Sequence, residues 1–494
     1  MNDEFPSIKF SSFDEKYKDL HETLLNSNDN INLNGSQVED KIDNEKMVVI
    51  AGFLSHNTTL KYLDLSMNKI EDEGMKYLSE SLKINSCLMD LSLIANSVGA
   101  NGAKYLSDAL NINTSLKTIN LSWNKIESEG MKHLSQSLRI NNSLEAIILT
   151  NNNIRDEGVQ FLSETLMINS TLKNLIISKN NITQKGISFL SDSLKKNKYL
   201  DSLDVSFNVL GEEGLISLSD SLKINSTLKI IDLSLIKITK EGIKILSEAF
   251  KLNKGIEHLE FFGNKFGDEG MKHLSEALKI NSTLKQISLS SNDIGVEGIK
   301  HFSDSINKNS TLENISFLNN KIGDKGVKIL CESLKNNKYL KNINLGNNQI
   351  NPEGIFYISE LIKQNNTIES IDVRRNIFYL HEFYSRNLYQ ALLVNSSIVE
   401  FKYSINFPLN VHSFIISVIN CNKNWSLERN HQFSLYFQKA VFSFICCIKQ
   451  IEKKFRLRLG KFVIFEMINR INKKSFLKHD FKEILLEIGE FETN

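Results

Sequence analysis

The sequence predicts an α/β solenoid, a horseshoe in which short parallel strands line the concave face and helices form the outside. Three observations predict it. A 28-residue unit recurs from Leu60, Leu88, Leu116, Leu144, Leu172, Leu200, Leu228, Ile256, Leu284, Leu312 and Leu340, so eleven regular repeats fill 60–367 without an insertion or deletion. Within a unit, Leu60, Leu63, Leu65 and Ile70 suit a short strand and the turn after it, whereas Leu78 and Leu82 stand at i, i+4 on one helix face. One unit has too few apolar side chains to offset the entropy of ordering itself, so neighbours must share a core.

The elements follow in chain order. Residues 1–27 are expected to form a helical cap, and 28–59 a divergent first repeat. The regular unit, with Leu60 as position 1, reads LxxLxLxxNxI, then a polar turn ending in Glu-Gly, then a helix closing on Asn. Asn at position 9, from Asn68 to Asn376, is expected to form an interior ladder that satisfies backbone groups where the strands end; Ile236 breaks it, and that rib should be looser. Gly at position 15, Gly74 to Gly354, marks a sharp turn or a close approach at the helix start. The acidic residue before it, such as Glu73 or Glu157, suits a helix N-terminus. Position 20 is Ser except for Cys331, which reads as a buried structural thiol. Asn at position 26, Asn85 to Asn365, is expected in a left-handed conformation just after the helix. A twelfth repeat, 368–397, is two residues longer and lacks the Gly, so the array spans 28–397.

This pattern resembles the leucine-rich repeats of the ribonuclease-inhibitor-like class, which includes the repeat arrays of NOD-like receptors and the GTPase activators of Ran. The resemblance covers roughly three quarters of the chain. It implies the solenoid fold and, as a function, binding of a protein partner on the concave face by a non-enzymatic scaffold. Its alternative implication is a GTPase-activating regulator like the Ran activators, acting on a small GTPase through polar or cationic residues on the loops after the strands. Arg155, after Asn151, Asn152 and Asn153, is the candidate there, its other reading being a solvated turn residue. The acidic tail of that family is absent.

Function should reside where the repeat is free to vary. Strand positions 3, 5, 7 and 8 are mostly small or polar, but Trp123, Phe207 and Leu235 occupy position 8 and Phe262 position 7. Phe207, Leu235 and Phe262 fall on consecutive ribs, within ~10 Å of one another, with Asp204, Asp232 and Glu260 beside them. Exposed aromatics on a polar face make interaction hot spots, and the acids would steer a partner. The competing expectation for position 8 is a side chain turned inward beneath the loop. The histidines of the regular repeats, His133, His258, His273 and His301, have no arrangement of further ligands, so neither metal nor cofactor is expected. No nucleophile–base pair, catalytic carboxylate pair or phosphate loop is recognisable.

Residues 398–494 break the pattern. IVEFKYSIN suits one last strand; beyond it, 401–494 carry 15 Lys+Arg against 8 Asp+Glu and are rich in aromatics, reading as a mainly helical cap or small domain. Cys446 and Cys447 beside KKFRLRLGK would allow acylation with a basic patch, hence membrane attachment. Over the whole chain Lys+Arg 59 nearly balance Asp+Glu 58, which argues against a nucleic-acid partner. Five Cys exclude a disulfide framework, and the absence of a secretory leader or long apolar run points to a cytoplasmic protein.

Overall fold

The computed structural model describes residues 17–25, 29–36, 41–376 and 382–403. The chain divides into two compact units, Met1–Lys321 and Ile322–Asn494.

The first unit contains β1 (Asn30–Asn32), β2 (Tyr62–Asp64), β3 (Asp90–Ser92), β4 (Thr118–Asn120), β5 (Ala146–Ile148), β6 (Asn174–Ile176), β7 (Ser202–Asp204), β8 (Ile230–Asp232), β9 (His258–Glu260), β10 (Gln286–Ser288) and β11 (Asn314–Ser316). Each is parallel to the next in sequence, with Leu63 opposite Leu91, Ile147 opposite Leu175 and Leu203 opposite Ile231. Between them lie α1 (Lys18–Leu25), α2 (Asn44–His56), α3 (Asp72–Ile84), α4 (Ala100–Leu110), α5 (Glu127–Leu138), α6 (Arg155–Leu166), α7 (Gln184–Leu194), α8 (Gly211–Ile224), α9 (Lys240–Leu252), α10 (Gly267–Leu278) and α11 (Val296–Ile306), with α1 ahead of β1. This is the strand–helix solenoid that the 28-residue period predicts. Position 4 at the centre of each strand is buried, as are the strand-side residues Leu60, Leu65 and Ile70 and the helix-side residues Met75, Leu78 and Leu82. Aromatics fill some of these positions, and Phe261 packs edge-on against Phe250 and Phe266 with ring centroids 5.9 and 6.1 Å apart.

Two rows of asparagine hold the repeats together. At position 9, Asn96 donates through Nδ2 to the carbonyl of Leu65 in the preceding repeat and accepts at Oδ1 from the N–H of Ile70. At position 26 the left-handed expectation fails: Asn85 and Asn225 are extended, with φ −66° and −70°. These residues build a second ladder. Asn113 donates to the carbonyls of Leu82 and Asn85, and its Oδ1 accepts from the N–H groups of Ser115 and Leu116. A buried side-chain amide satisfies backbone groups here, so no φ > 0 is required.

The helices start in two ways. In one, position 12 is left-handed (Glu127, Arg155, Gly211 and Gly267, φ 56–64°), and the N–H of Glu127, Arg155 and Gly267 donates to the position-9 carbonyl of the next repeat. In the other, position 12 is extended, and in several repeats a carboxylate of the preceding helix receives it: Asp72 accepts from Gly99, Asp268 from Gly295, and Asp156 from both Thr183 and Gly186. By contrast, the N–H of Glu71 donates to the side-chain amide oxygen of Asn44, and Thr239 caps its own helix. Position 15 is Gly for close approach, since a Cβ on Gly102 would lie 2.7 Å from Asp72 Oδ1 and 2.7 Å from Val98 Cγ1.

The second unit continues the pattern with α12 (Gly323–Leu334), β12 (Asn342–Asn344), α13 (Pro352–Gln364), β13 (Ser370–Asp372), α14 (Glu382–Val394) and β14 (Glu400–Lys402). Ile343 lies opposite Ile371 and Ile371 opposite Phe401. Both helix starts occur here too: Gly323 is left-handed (φ 59°), while Asp324 accepts from Asn351 and Gly354. Cys331 is buried and free, and burial pushes its thiol well above the usual range. Residues 404–494, including Cys446, Cys447 and the basic segment, lie outside the described residues, as do 1–16 of the expected N-terminal cap.

Candidate functional site

Because position 4 of each strand faces the core, positions 3 and 5 face the other way. On β7, β8 and β9 the in-register residues at position 5 are Asp204, Asp232 and Glu260. Adjacent parallel strands are ~4.8 Å apart, so three carboxylates stand side by side. Asp204 and Asp232 each accept, at Oδ1, the N–H two residues on, from Ser206 and Ser234 at 2.8 Å. Burial, with a smaller contribution from Asp232, pushes the carboxyl of Asp204 above its ordinary value against the hydrogen bonds of Ser206. Glu260 is raised in the same way, by burial first and Asp232 next, against its bond with Ser288.

Apolar side chains border this row. Phe207 is 55% exposed, Phe262 41% and Ile230 38%. Position 8 does not turn inward beneath the loop; it is left-handed instead, with φ 57° at Phe207, 54° at Leu235 and 59° at Trp123. What holds it there is the ladder beyond the strand, in which Phe207 N–H donates to Ser234 O and Leu235 N–H to Phe262 O. The side chain is thereby turned outward. Leu235 is half-buried because it leans across Gly263, where a Cβ would lie 2.6 Å from Leu235 Cδ2.

The structure therefore brings together Asp204, Asp232, Glu260, Phe207, Leu235 and Phe262. Trp123 stands apart, three strands away, and is itself half exposed, with Lys179 Nζ 4.1 Å from its ring centroid. Arg155 sits at the left-handed start of α6 with its Nε donating to Asn153 Oδ1 at 3.1 Å. Among the described residues, no three His, Cys, Asp or Glu side chains converge in a metal-binding arrangement. A cavity of about 410 Å³ lies elsewhere, lined by Tyr17, Val48, Val49 and Tyr77 among others.

Two features do not show in the sequence of any one repeat. Ile148 and Ile176, in register at position 5 of β5 and β6, extend an apolar strip up to Asp204. Position 2 alternates in charge as Lys117, Glu145, Lys173, Asp201, Lys229, Glu257, Lys285 and Glu313. Its ion pairs include Lys173–Glu145 at 2.7 Å and Lys285–Glu257 at 2.7 Å. The Lys173 and Lys285 ammonium groups hold Glu145 and Glu257 below the usual carboxylate range. Both features are visible only when the repeats are aligned and read down one column.

Residues 56–79, 113–135, 141–163, 169–191, 196–219, 253–275, 281–303 and 336–359 match the family model described as Leucine Rich repeat. Among solved structures, the chain is similar to the actin-binding site 2 of leiomodin-1, at 18% identity over 34% of this chain and 95% of that one, with a TM-score of 0.30. It is similar to the tropomodulin C-terminal domain of Caenorhabditis elegans at 15% identity, over 32% of this chain and 95% of that one, with a TM-score of 0.30. It is similar also to a chain of the Rad7–Elc1 complex of yeast at 17% identity, over 68% of this chain and 85% of that one, with a TM-score of 0.40. No curated protein matches the sequence.

Proposed function

Since the strand–helix units are leucine-rich repeats, a general protein-interaction architecture, we propose that this chain is a non-enzymatic scaffold holding a protein partner on the open sheet face around β7–β9. One observation carries the reading: Phe207, Phe262 and Ile230 are exposed together beside the carboxylates of Asp204, Asp232 and Glu260. Large apolar side chains grouped in this way are costly to leave in water and are typical of interface anchors. Phe207 is turned outward by the left-handed conformation that position 8 adopts throughout the array. Arg155 gains no comparable support as a GTPase contact, being engaged by Asn153 at a strained helix start.

The test is affinity capture from the source cell with the whole chain and, in parallel, with the Phe207→Ala/Phe262→Ala variant after its melting curve is shown unchanged. A protein held by the first and lost from the second supports the reading. Truncating two interface anchors should cost about 2 kcal/mol or more, roughly a 30-fold loss of affinity. An identical set of proteins on both baits overturns the placement on this face.

A further inference from the structure

We infer that the sheet face of β5–β9 takes a basic segment of the partner, an aliphatic side chain resting on Ile148 and Ile176 and a lysine or arginine reaching the carboxylates of Asp204, Asp232 and Glu260. The inference rests on the scaffold reading and adds the chemistry of the occupant.

The first ground is the sequence of surfaces along the sheet. Ile148 and Ile176 are paired in register, and Ile176 is paired in turn with Asp204, so an apolar strip meets an acidic one between β6 and β7. A segment crossing the strands meets the two surfaces in that order, ~4.8 Å per strand.

The second ground is charge complementarity. Elsewhere many acids are paired with cations, although Asp64, also at position 5, is held by the N–H of Ser66 and has no Lys or Arg partner among the described residues. On the helices Glu80, Asp192, Asp220, Glu248 and Glu276 pair with the Lys three residues on. At position 2 Glu145, Asp201 and Glu257 pair with lysines of neighbouring strands. In the second unit Asp372, also at position 5, is paired with Arg374 at 2.6 Å. Asp204, Asp232 and Glu260 have no Lys or Arg partner among the described residues, and the one cationic neighbour that acts on Glu260 is the imidazole of His258 on the same strand. Burial first, and the like charge of Asp232 to a smaller extent, raise Asp204 and Glu260, so the arrangement costs stability as it stands. A cation from outside removes the repulsion.

The third ground is shape. The carboxylates lie in a row, as a side-chain cation moving along a sheet would meet them. The exposed faces of Ile230 and Phe262 beside them suit the apolar stem of a lysine or the plane of a guanidinium.

The experiment pans a display library of random peptides, about twelve residues long and so able to cross several strands, against the whole chain. Enriched sequences are then synthesised and their affinity measured. The expected result is enrichment of Lys or Arg next to aliphatic residues. The Asp232→Asn/Glu260→Gln variant should bind such peptides about tenfold or more weakly, a loss of about 1.4 kcal/mol. The substitution Ile280→Ala, at an exposed helix end, should leave them unaffected. Asn and Gln keep an oxygen acceptor, and a melting curve no lower than the parent's shows that the fold survives. Enrichment of neutral or acidic peptides overturns the inference, as does basic-peptide binding that survives the charge removal. If such binding still falls with Phe207→Ala/Phe262→Ala, the scaffold reading stands and only the charge assignment fails. If no peptide is enriched and capture from the cell is also empty, both fail.

Discussion

At the scale of single residues, the cost of the site is measurable. Asp204 and Glu260 have folded-state pKa values raised above their unfolded values. Their contribution to stability is fully present below the unfolded pKa, about 4, and is lost as pH rises through the folded value. The Asp204→Asn/Glu260→Gln variant should therefore melt above the parent at neutral pH, with the gap closing below about pH 4. A gap of constant size across that range would show that the substitutions act by packing and not by charge. The break in the asparagine ladder has its own signature. The N–H of Ile182 donates to Asn208 Oδ1 and that of Ile238 to Asn264 Oδ1. Leu210, facing Ile236, has no such acceptor among the described residues. Hydrogen exchange at Leu210 should be about tenfold faster than at Ile182, the effect of one lost hydrogen bond, and Ile236→Asn should restore it. Equal protection in both would mean that another group serves Leu210. The interior role of position 9 was legible because an amide recurring at the end of every strand matches the backbone groups left unpaired there. Position 8 was legible only in part: Asn151, Gly263, Asn319 and Asn347 are types that favour φ > 0, whereas Met67, Trp123, Phe207 and Leu235 are not. Their conformation is imposed by hydrogen bonds to the next repeat, which a single repeat's sequence does not display.

At the scale of the element, several helix starts are completed by a neighbouring repeat. Asp156 at the start of α6 accepts the N–H groups of Thr183 and Gly186 and the hydroxyl of Thr183, and so caps α7 from the preceding repeat. Asp156→Ala should cost about 1–2 kcal/mol, with Asp156→Asn recovering most of it, as read from denaturation midpoints. A loss confined to the ion's charge, with Asn as poor as Ala, would point to the helix dipole instead. The other helix start predicts the opposite sign. Arg155 holds φ 57° where Gly211, Gly267 and Gly323 sit in matching repeats. Arg155→Gly should stabilise the protein by up to about 1 kcal/mol, the left-handed penalty less the entropy of an added glycine. Within one repeat, an acidic residue near the helix start reads as an answer to the dipole of its own helix. The groups that Asp156 caps are 27 to 30 residues away, so the contact belongs to the array and not to the motif.

At the scale of the whole molecule, the repeat length is the property that makes the fold tolerant. Strand register and both asparagine ladders run at 28 residues or close to it, so removing one complete repeat leaves these contacts with chemically equivalent replacements, while the position-2 charges alternate and the Lys117–Glu145 pair is lost. Deleting 116–143 joins Ser115 to Leu144. Leu91 then faces Ile147 in place of Ile119, Asn113 receives Leu144 N–H in place of Leu116 N–H, and Asn152 replaces Asn124 as acceptor for Val98. The segment carries Trp123 but none of the β7–β9 residues. The shortened chain should retain its circular dichroism per residue, melt cooperatively and bind the β7–β9 peptides with unchanged affinity, because each repeat depends chiefly on its nearest neighbours. Deleting only 116–129 supplies helix residues where a strand is required and should abolish cooperative melting. If both deletions are equally damaging, stability is not passed between neighbouring repeats. If the full-repeat deletion folds but loses the peptides, Trp123 and Lys179 belong to the binding face after all.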